Sequence, residues 1–250
     1  MRYFVKLSYK GSQYHGWQYQ PNATSIQEEL EKAFSTILQC PTAITGAGRT
    51  DAGVHASNYI AHFDMEHPVY AKDLEFLVFK LNGFLPQDIA IHQIIKVKED
   101  AHARFDAIRR YYQYQICQQK NPFITDTSWL RYGKLDIDKM NKAGQLLMKY
   151  TDFGSFAKLH ADTKTNICHL QEVNWSINNT VLLFEISADR FLRNMVRSIV
   201  GSMIDIGSGK IDLNDFKAII ESKDRSKAGI SVPARGLSLV KIDYPDKLWE

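Results

Sequence analysis

Asp51 is the carboxylate with the most unusual neighbourhood. It lies in the run Gly46-Ala-Gly-Arg-Thr-Asp-Ala-Gly-Val-His-Ala56, with Arg49 two residues before it. Glycine at this density lets a backbone take positive φ or approach a ligand closely. A loop held by flanking elements is where chemistry is commonly carried, and a carboxylate there can serve as a nucleophile. A plain turn accounts for the same residues, with Asp51 closing an Asx-turn and Gly53 supplying a left-handed residue. The familiar phosphate loops do not fit. A P-loop ends in Gly-Lys-Ser/Thr, and a dinucleotide fingerprint needs glycine where Asp51 stands and a helix afterwards. A strand pattern follows instead.

Arginines form the second candidate group. Phe191 to Ile206 reads as a helix closed by Gly207, with Leu192, Met195, Val196, Ile199 and Met203 on one face. Arg190, Arg193 and Arg197 fall on the opposite face. Such a stripe is commonly just solvated. Cations in a helix's first turn, however, oppose the macrodipole by about 0.3–1 kcal/mol each. Arg190 and Arg193 therefore need anionic partners, and no Asp or Glu follows either at three or four residues. RNA phosphate or a buried carboxylate would serve. With Arg104, Arg109 and Arg110 they form the basic residues expected to meet an RNA backbone. The aromatic run Tyr111-Tyr-Gln-Tyr114 suits a half-buried strand. The eight histidines and three cysteines form no His-Glu-x-x-His, no Cys-x-x-Cys and no zinc-deaminase pattern. No metal is expected, and His55 and His62 are expected to be structural.

Gly48-Arg-Thr-Asp-Ala-Gly-Val-His55 resembles the signature of the tRNA pseudouridine synthase A family. Further blocks are similar to that family in order: Tyr9 to Gln18, His102-Ala-Arg-Phe105, Tyr112-Gln-Tyr114, Phe191 to Gly201, and Pro233-Ala-Arg-Gly-Leu237. The resemblance implies that Asp51 is the nucleophile and Arg197 its partner. It implies that Tyr112 lies against the target base, and that Arg104 and Arg49 bind substrate RNA. An arginine beside a carboxylate lowers its pKa by about one to three units, against the rise caused by burial. Asp51 is thereby expected to stay ionised, as a nucleophile must.

The implied reaction isomerises uridine to pseudouridine at tRNA positions 38, 39 and 40, with no cofactor and with a homodimer as the working unit. Attack on the base and attack on the sugar remain open alternatives. Two rival readings are an RNA glycosidase and an RNA-binding module. The first normally needs two carboxylates, and the second leaves the Asp51 loop idle.

Positioning these residues requires a framework. At 250 residues the chain can bury a substantial core as one large domain or two small ones. The formal charge of +3 permits a nucleic-acid partner without requiring one. No apolar run suits a membrane span, no signal peptide is read, and the odd cysteine count fits reduced thiols. A cytoplasmic protein is expected. Strands are expected at 3–9, 58–65, 89–97, 107–117, 170–177, 181–187 and 237–244. Helices are expected from Ser25, over 71–82, 136–150 and 191–206, and a short one over 213–220. Asn82-Gly83 is expected to end the second helix.

The second half thus reads β-α-β-β-α-β, the ferredoxin-like order. The fold class expected is α+β: two ferredoxin-like, RNA-recognition-like halves sharing a mixed, mainly antiparallel sheet with helices packed on it. Residues 1–104 form the half with Asp51, and residues 105–250 the half with Tyr112 and Arg197.

Overall fold

The computed structural model describes residues 1–65, 73–158 and 164–249. Across them the protein is mixed α/β, with nine strands paired mainly antiparallel and five α-helices. Contacts divide the chain into two compact units, Met1–Ile108 with Leu239–Glu250, and Arg109–Ser238. No helix among the described residues is long and apolar enough to cross a membrane.

In the first unit, β1 (Arg2–Tyr9) pairs antiparallel with both β3 (His55–Asp64) and β4 (Ile89–Val97). A short β2 (Thr45–Gly46) leads into the Asp51 loop and pairs with β3. Alternation places Tyr3, Val5, Leu7 and Tyr9 on one face of β1, and all four are buried. Phe4 on the other face is buried too, against the edges of Tyr244 and Trp249. Helix α1 (Ile26–Leu38) begins at a capping box. The Glu28 N–H donates to Ser25 Oγ, and the Ser25 N–H donates back to the Glu28 carboxylate. Its residues Ile26, Leu30, Ala33 and Phe34 are buried, with Phe34 edge-on to Phe63.

Helix α2 (Leu74–Phe84) is capped by Asp73 and lies against β4. The expected start at Ala71 lies outside the described residues. Asn82-Gly83 does not stop this helix. The Asn82 amide instead donates to the Ile91 carbonyl and accepts from the Ile91 N–H, both at 2.8 Å. A residue that favours turns is used here to tie helix to strand.

In the second unit, β5 (Arg109–Cys117) pairs antiparallel with β8 (Val181–Ala188), and β8 pairs with β7 (Leu170–Asn178). Asn179 at φ +56° turns the β7–β8 hairpin. A two-residue β6 (Trp129–Leu130) runs parallel to β5. Helix α3 (Ile137–Leu147) starts at its Asp136 cap and packs on β7, α4 (Met195–Gly207) and α5 (Leu213–Ser222). Strand β9 (Leu237–Asp243) has all but its first two residues in the first unit, where it neighbours β3.

Helix α4 begins four residues later than its apolar stripe predicts. Asn194 takes a left-handed conformation at φ +67°, and just upstream the Asp189 carboxylate accepts the Arg190 N–H. Arg190 and Arg193 are therefore not in a helical first turn, and the macrodipole argument does not apply to them. Arg197, the third helical residue, is the one of the three that it does concern.

Candidate active site

The Asp51 loop joins β2 to β3 and is bonded at nearly every residue. The Ala47 N–H donates to the Ile60 carbonyl at 2.9 Å. The Tyr59 hydroxyl donates to the Gly48 carbonyl and accepts from the Gly48 N–H. Thr50 shares a hydrogen bond between its hydroxyl and that of Tyr9 at 3.0 Å, and its carbonyl accepts the Trp17 N–H. The Tyr59 ring stacks on Trp17 at 4.1 Å.

Asp51 to Val54 form a turn closed by the Val54 N–H on the Asp51 carbonyl at 3.1 Å. Gly53 takes φ +77°, which favours glycine. A main-chain bond thus closes the turn. Asp51 is half-buried, and Arg49 is exposed with Nε donating to Gln18 at 2.9 Å.

The N-terminal segment after β1 wraps this loop. The Gly53 N–H donates to the Tyr14 carbonyl, and the Gly11 N–H donates to His55 Nδ1 at 3.0 Å. At Gly16, with φ +91°, a Cβ would stand 2.3 Å from the Thr50 carbonyl oxygen. Close approach of two main chains explains a glycine there. Sequence reasoning missed these supports. The available signal was the mixture of Gly11, Gly16, Tyr14 and Trp17 in an otherwise structureless stretch.

Arg104 stands on a second turn of the same unit. His62, on β3, accepts the Ala103 N–H at Nδ1 (3.1 Å). His102 Nδ1 accepts the N–H groups of Arg104 and Phe105 at 3.1 and 3.3 Å. The His102 N–H donates to Asp106 at 2.6 Å, and the Tyr244 hydroxyl donates to the Ala103 carbonyl. Burial, and after it the Arg2 charge, pushes the His62 pKa down to about 4. Burial and Arg2 lower that of His102 as well. Both rings act as neutral acceptors, and each, like His55, accepts a main-chain N–H at Nδ1.

In the second unit Tyr112 pairs with Ile186 in the β5–β8 ladder, and its ring meets the Phe191 ring edge-on at 5.2 Å. Tyr114 is fully buried rather than half-buried. Its hydroxyl donates to the Pro233 carbonyl, and burial raises its pKa. Arg197 is half-buried, with Nε donating to the Val232 carbonyl at 2.7 Å and its own carbonyl accepting the Val232 N–H.

The other arginines differ. Arg109 donates twice to Ser187 Oγ, pairs with Glu172 at 3.3 Å and lies 4.5 Å from the Tyr111 ring. Arg110 donates to the Asp189 carbonyl, and Arg190 to that of Thr165. Arg193 is exposed. Asp51 and Arg49 thus share one loop, with Arg104 on another turn of that unit. Tyr112, Arg197, Arg109, Arg110, Arg190 and Arg193 belong to the second unit.

The class of protein that carries such a carboxylate loop is given by comparison. Residues 146–245 match a family profile described as tRNA pseudouridine synthase. The whole chain is similar to individual proteins named tRNA pseudouridine synthase A. Identity is 50% over 251 residues with that of Bacteroides fragilis, covering 100% of this chain and 98% of the relative. It is 48% over 248 residues with that of Parabacteroides distasonis, covering 99% and 98%. The relative from Vibrio campbellii is 37% identical over 249 residues, covering 99% and 93%. This chain belongs to the tRNA pseudouridine synthase A family, a family of isomerases.

Proposed function

We propose that the protein converts uridine to pseudouridine in the anticodon stem-loop of tRNA, at positions 38, 39 and 40, with Asp51 as nucleophile. The C1′–N1 bond breaks, the base turns, and a C1′–C5 bond forms. The C5 proton leaves and N1 gains one, so the sum is an isomerisation with no redox change and no cofactor. Arg197 is proposed to keep the carboxylate ionised, Tyr112 to lie against the target base, and Arg49 and Arg104 to hold RNA. Two ferredoxin-like halves, a cytoplasmic homodimer and phosphate contacts by arginines outside the loop complete the proposal.

The observation that carries the reading is how the Asp51 turn is made. Main-chain bonds and three aromatic residues fix it, and Tyr9, Trp17 and Tyr59 all reach it from outside the loop. A loop held this firmly by flanking elements fixes where its aspartate stands, and such loops commonly carry chemistry.

Asp51→Asn is the test. Asparagine has nearly the same shape and leaves the carbonyl that closes the turn, so melting temperature and tRNA affinity should stay near wild type. Turnover should vanish, because an amide is no carboxylate nucleophile. A folded, tRNA-binding Asp51→Asn protein that still makes pseudouridine would end the assignment.

A further inference from the structure

Phe105 is 75% exposed, yet little about it is loose. Its N–H and that of Arg104 are both held by His102 Nδ1, and the turn is pinned on its other side by His62, Asp106 and Tyr244. Its ring is backed by the His102 imidazole at 4.3 Å, which in turn meets the buried His62 ring at 4.7 Å. The Arg104 guanidinium lies 5.7 Å from the Phe105 ring. A single exposed phenylalanine is ordinary. One with fixed backbone and a braced ring has given up its freedom before any ligand arrives, which is what favours binding.

We propose that Phe105 is a stacking platform for one unpaired base of the tRNA substrate, with Arg104 set to meet an adjoining phosphate. This rests on the tRNA reading above. An aromatic ring beside an arginine suits single-stranded RNA, whose splayed bases offer π-faces and whose backbone offers negative charge. Stacking of this kind is tolerant of sequence, because every base has a π-face. His62 and His102 act through the backbone as positioning residues for the platform.

The experiment measures tRNA affinity, KM and kcat for Phe105→Ala, Phe105→Leu and Phe105→Tyr, with melting temperature and molecular mass on the same preparations. The exposed site should leave folding unaltered. Phe105→Ala and Phe105→Leu should weaken tRNA binding about tenfold, within the range for one stacked base. KM should rise in step while kcat at saturation holds, and Phe105→Tyr should behave as wild type. Unchanged affinity in Phe105→Ala would overturn the proposal. So would Phe105→Leu binding like wild type, which would mean apolar contact without stacking, or a change of mass without a change of affinity.

Wild-type pseudouridine formation is measured separately. Its absence would defeat the proposed function. Its presence beside an unaltered Phe105→Ala affinity would defeat this inference alone. For the positioning role, His102→Asn keeps a side-chain acceptor for residues 104 and 105, as in an Asx-turn. The KM for tRNA should rise more in His102→Ala than in His102→Asn, at constant kcat. Equal values would remove His102 from that role.

Discussion

Asp51 and Arg104 stand on irregular turns, whereas Tyr112 and Arg197 stand on a strand and a helix. The difference lies in who satisfies the backbone. A strand or helix pairs its own N–H and C=O groups, but a turn must find partners elsewhere. In the first unit those partners include side chains: Tyr59 for Gly48 in the Asp51 loop, and His62, His102 and Tyr244 around the other turn. In the second unit the β5–β8 ladder and the turns of α4 hold the backbone. Altering a side chain there leaves the main-chain bonds of its own strand or helix in place. Substitution should therefore separate chemistry from stability cleanly in the second unit and mix them in the first.

Arg197→Lys tests the second unit. The Nε bond to Val232 fixes the plane of the guanidinium, and lysine has neither that donor nor a planar fork. If Arg197 faces the reacting carboxylate, turnover should fall by at least about a hundredfold, the usual effect of losing one preorganised electrostatic partner. Melting temperature and tRNA affinity should barely change. Wild-type turnover would remove Arg197 from the chemistry, and a large loss of stability would break the contrast between the units.

Acid tests the first unit. The folded protein binds a proton at His62 less readily than the unfolded chain does, with a pKa lowered from 6.5 to about 4. Stability supplied by the neutral ring is complete above about pH 6.5 and is lost as pH falls toward about 4, by about 3 kcal/mol at most. His62→Asn retains an acceptor for the Ala103 N–H and does not titrate. Denaturant unfolding of both proteins between those pH values should show the wild type losing more stability than the variant. Parallel losses would mean that other groups carry the acid sensitivity.

A milder loosening of the first unit is Tyr59→Phe, which keeps the stack on Trp17 and removes both hydrogen bonds to Gly48. The expected cost is about 1–2 kcal/mol, with turnover falling more than tRNA affinity because Gly48 lies in the Asp51 loop. Calorimetry with steady-state kinetics would check it. Undiminished stability and turnover would show that the aromatic brace is dispensable.

The same division governs what could be read beforehand. Regular elements announced themselves: β4 matches its expected span of 89–97, and the Ser25–Glu28 capping box is present with both bonds. So did the loop motif, because it is local. Partners distant in sequence did not. Nothing near residue 50 says that Tyr9, Trp17 and Tyr59 will hold the loop, and Gly16 is explained only once the Thr50 carbonyl is seen against it. The start of α4 was hidden because Leu192 fits the apolar stripe and is buried, although it precedes the helix. Periodicity records burial, and here burial extends past the hydrogen-bonded turns.

The finest test of the contrast lies among arginines that sequence alone treats alike. Arg109 and Arg193 were both expected to meet RNA phosphates, yet their surroundings differ. Arg109 has its Nε and one terminal nitrogen on Ser187, an ion pair with Glu172, and a ring beside it. Turning it toward a phosphate would break those contacts and leave Glu172 near the RNA. Arg193 is exposed, and its carbonyl accepts the Lys158 N–H. Each phosphate contact releases counterions and steepens the fall of log affinity with log salt by about 0.7–0.9. Arg193→Ala should reduce the slope by about that amount at unchanged melting temperature, and Arg109→Ala should leave the slope alone while lowering stability slightly. Binding isotherms at four or more salt concentrations resolve the two slopes. If Arg109→Ala flattens the salt dependence and Arg193→Ala does not, scaffold and contact roles have been assigned the wrong way round.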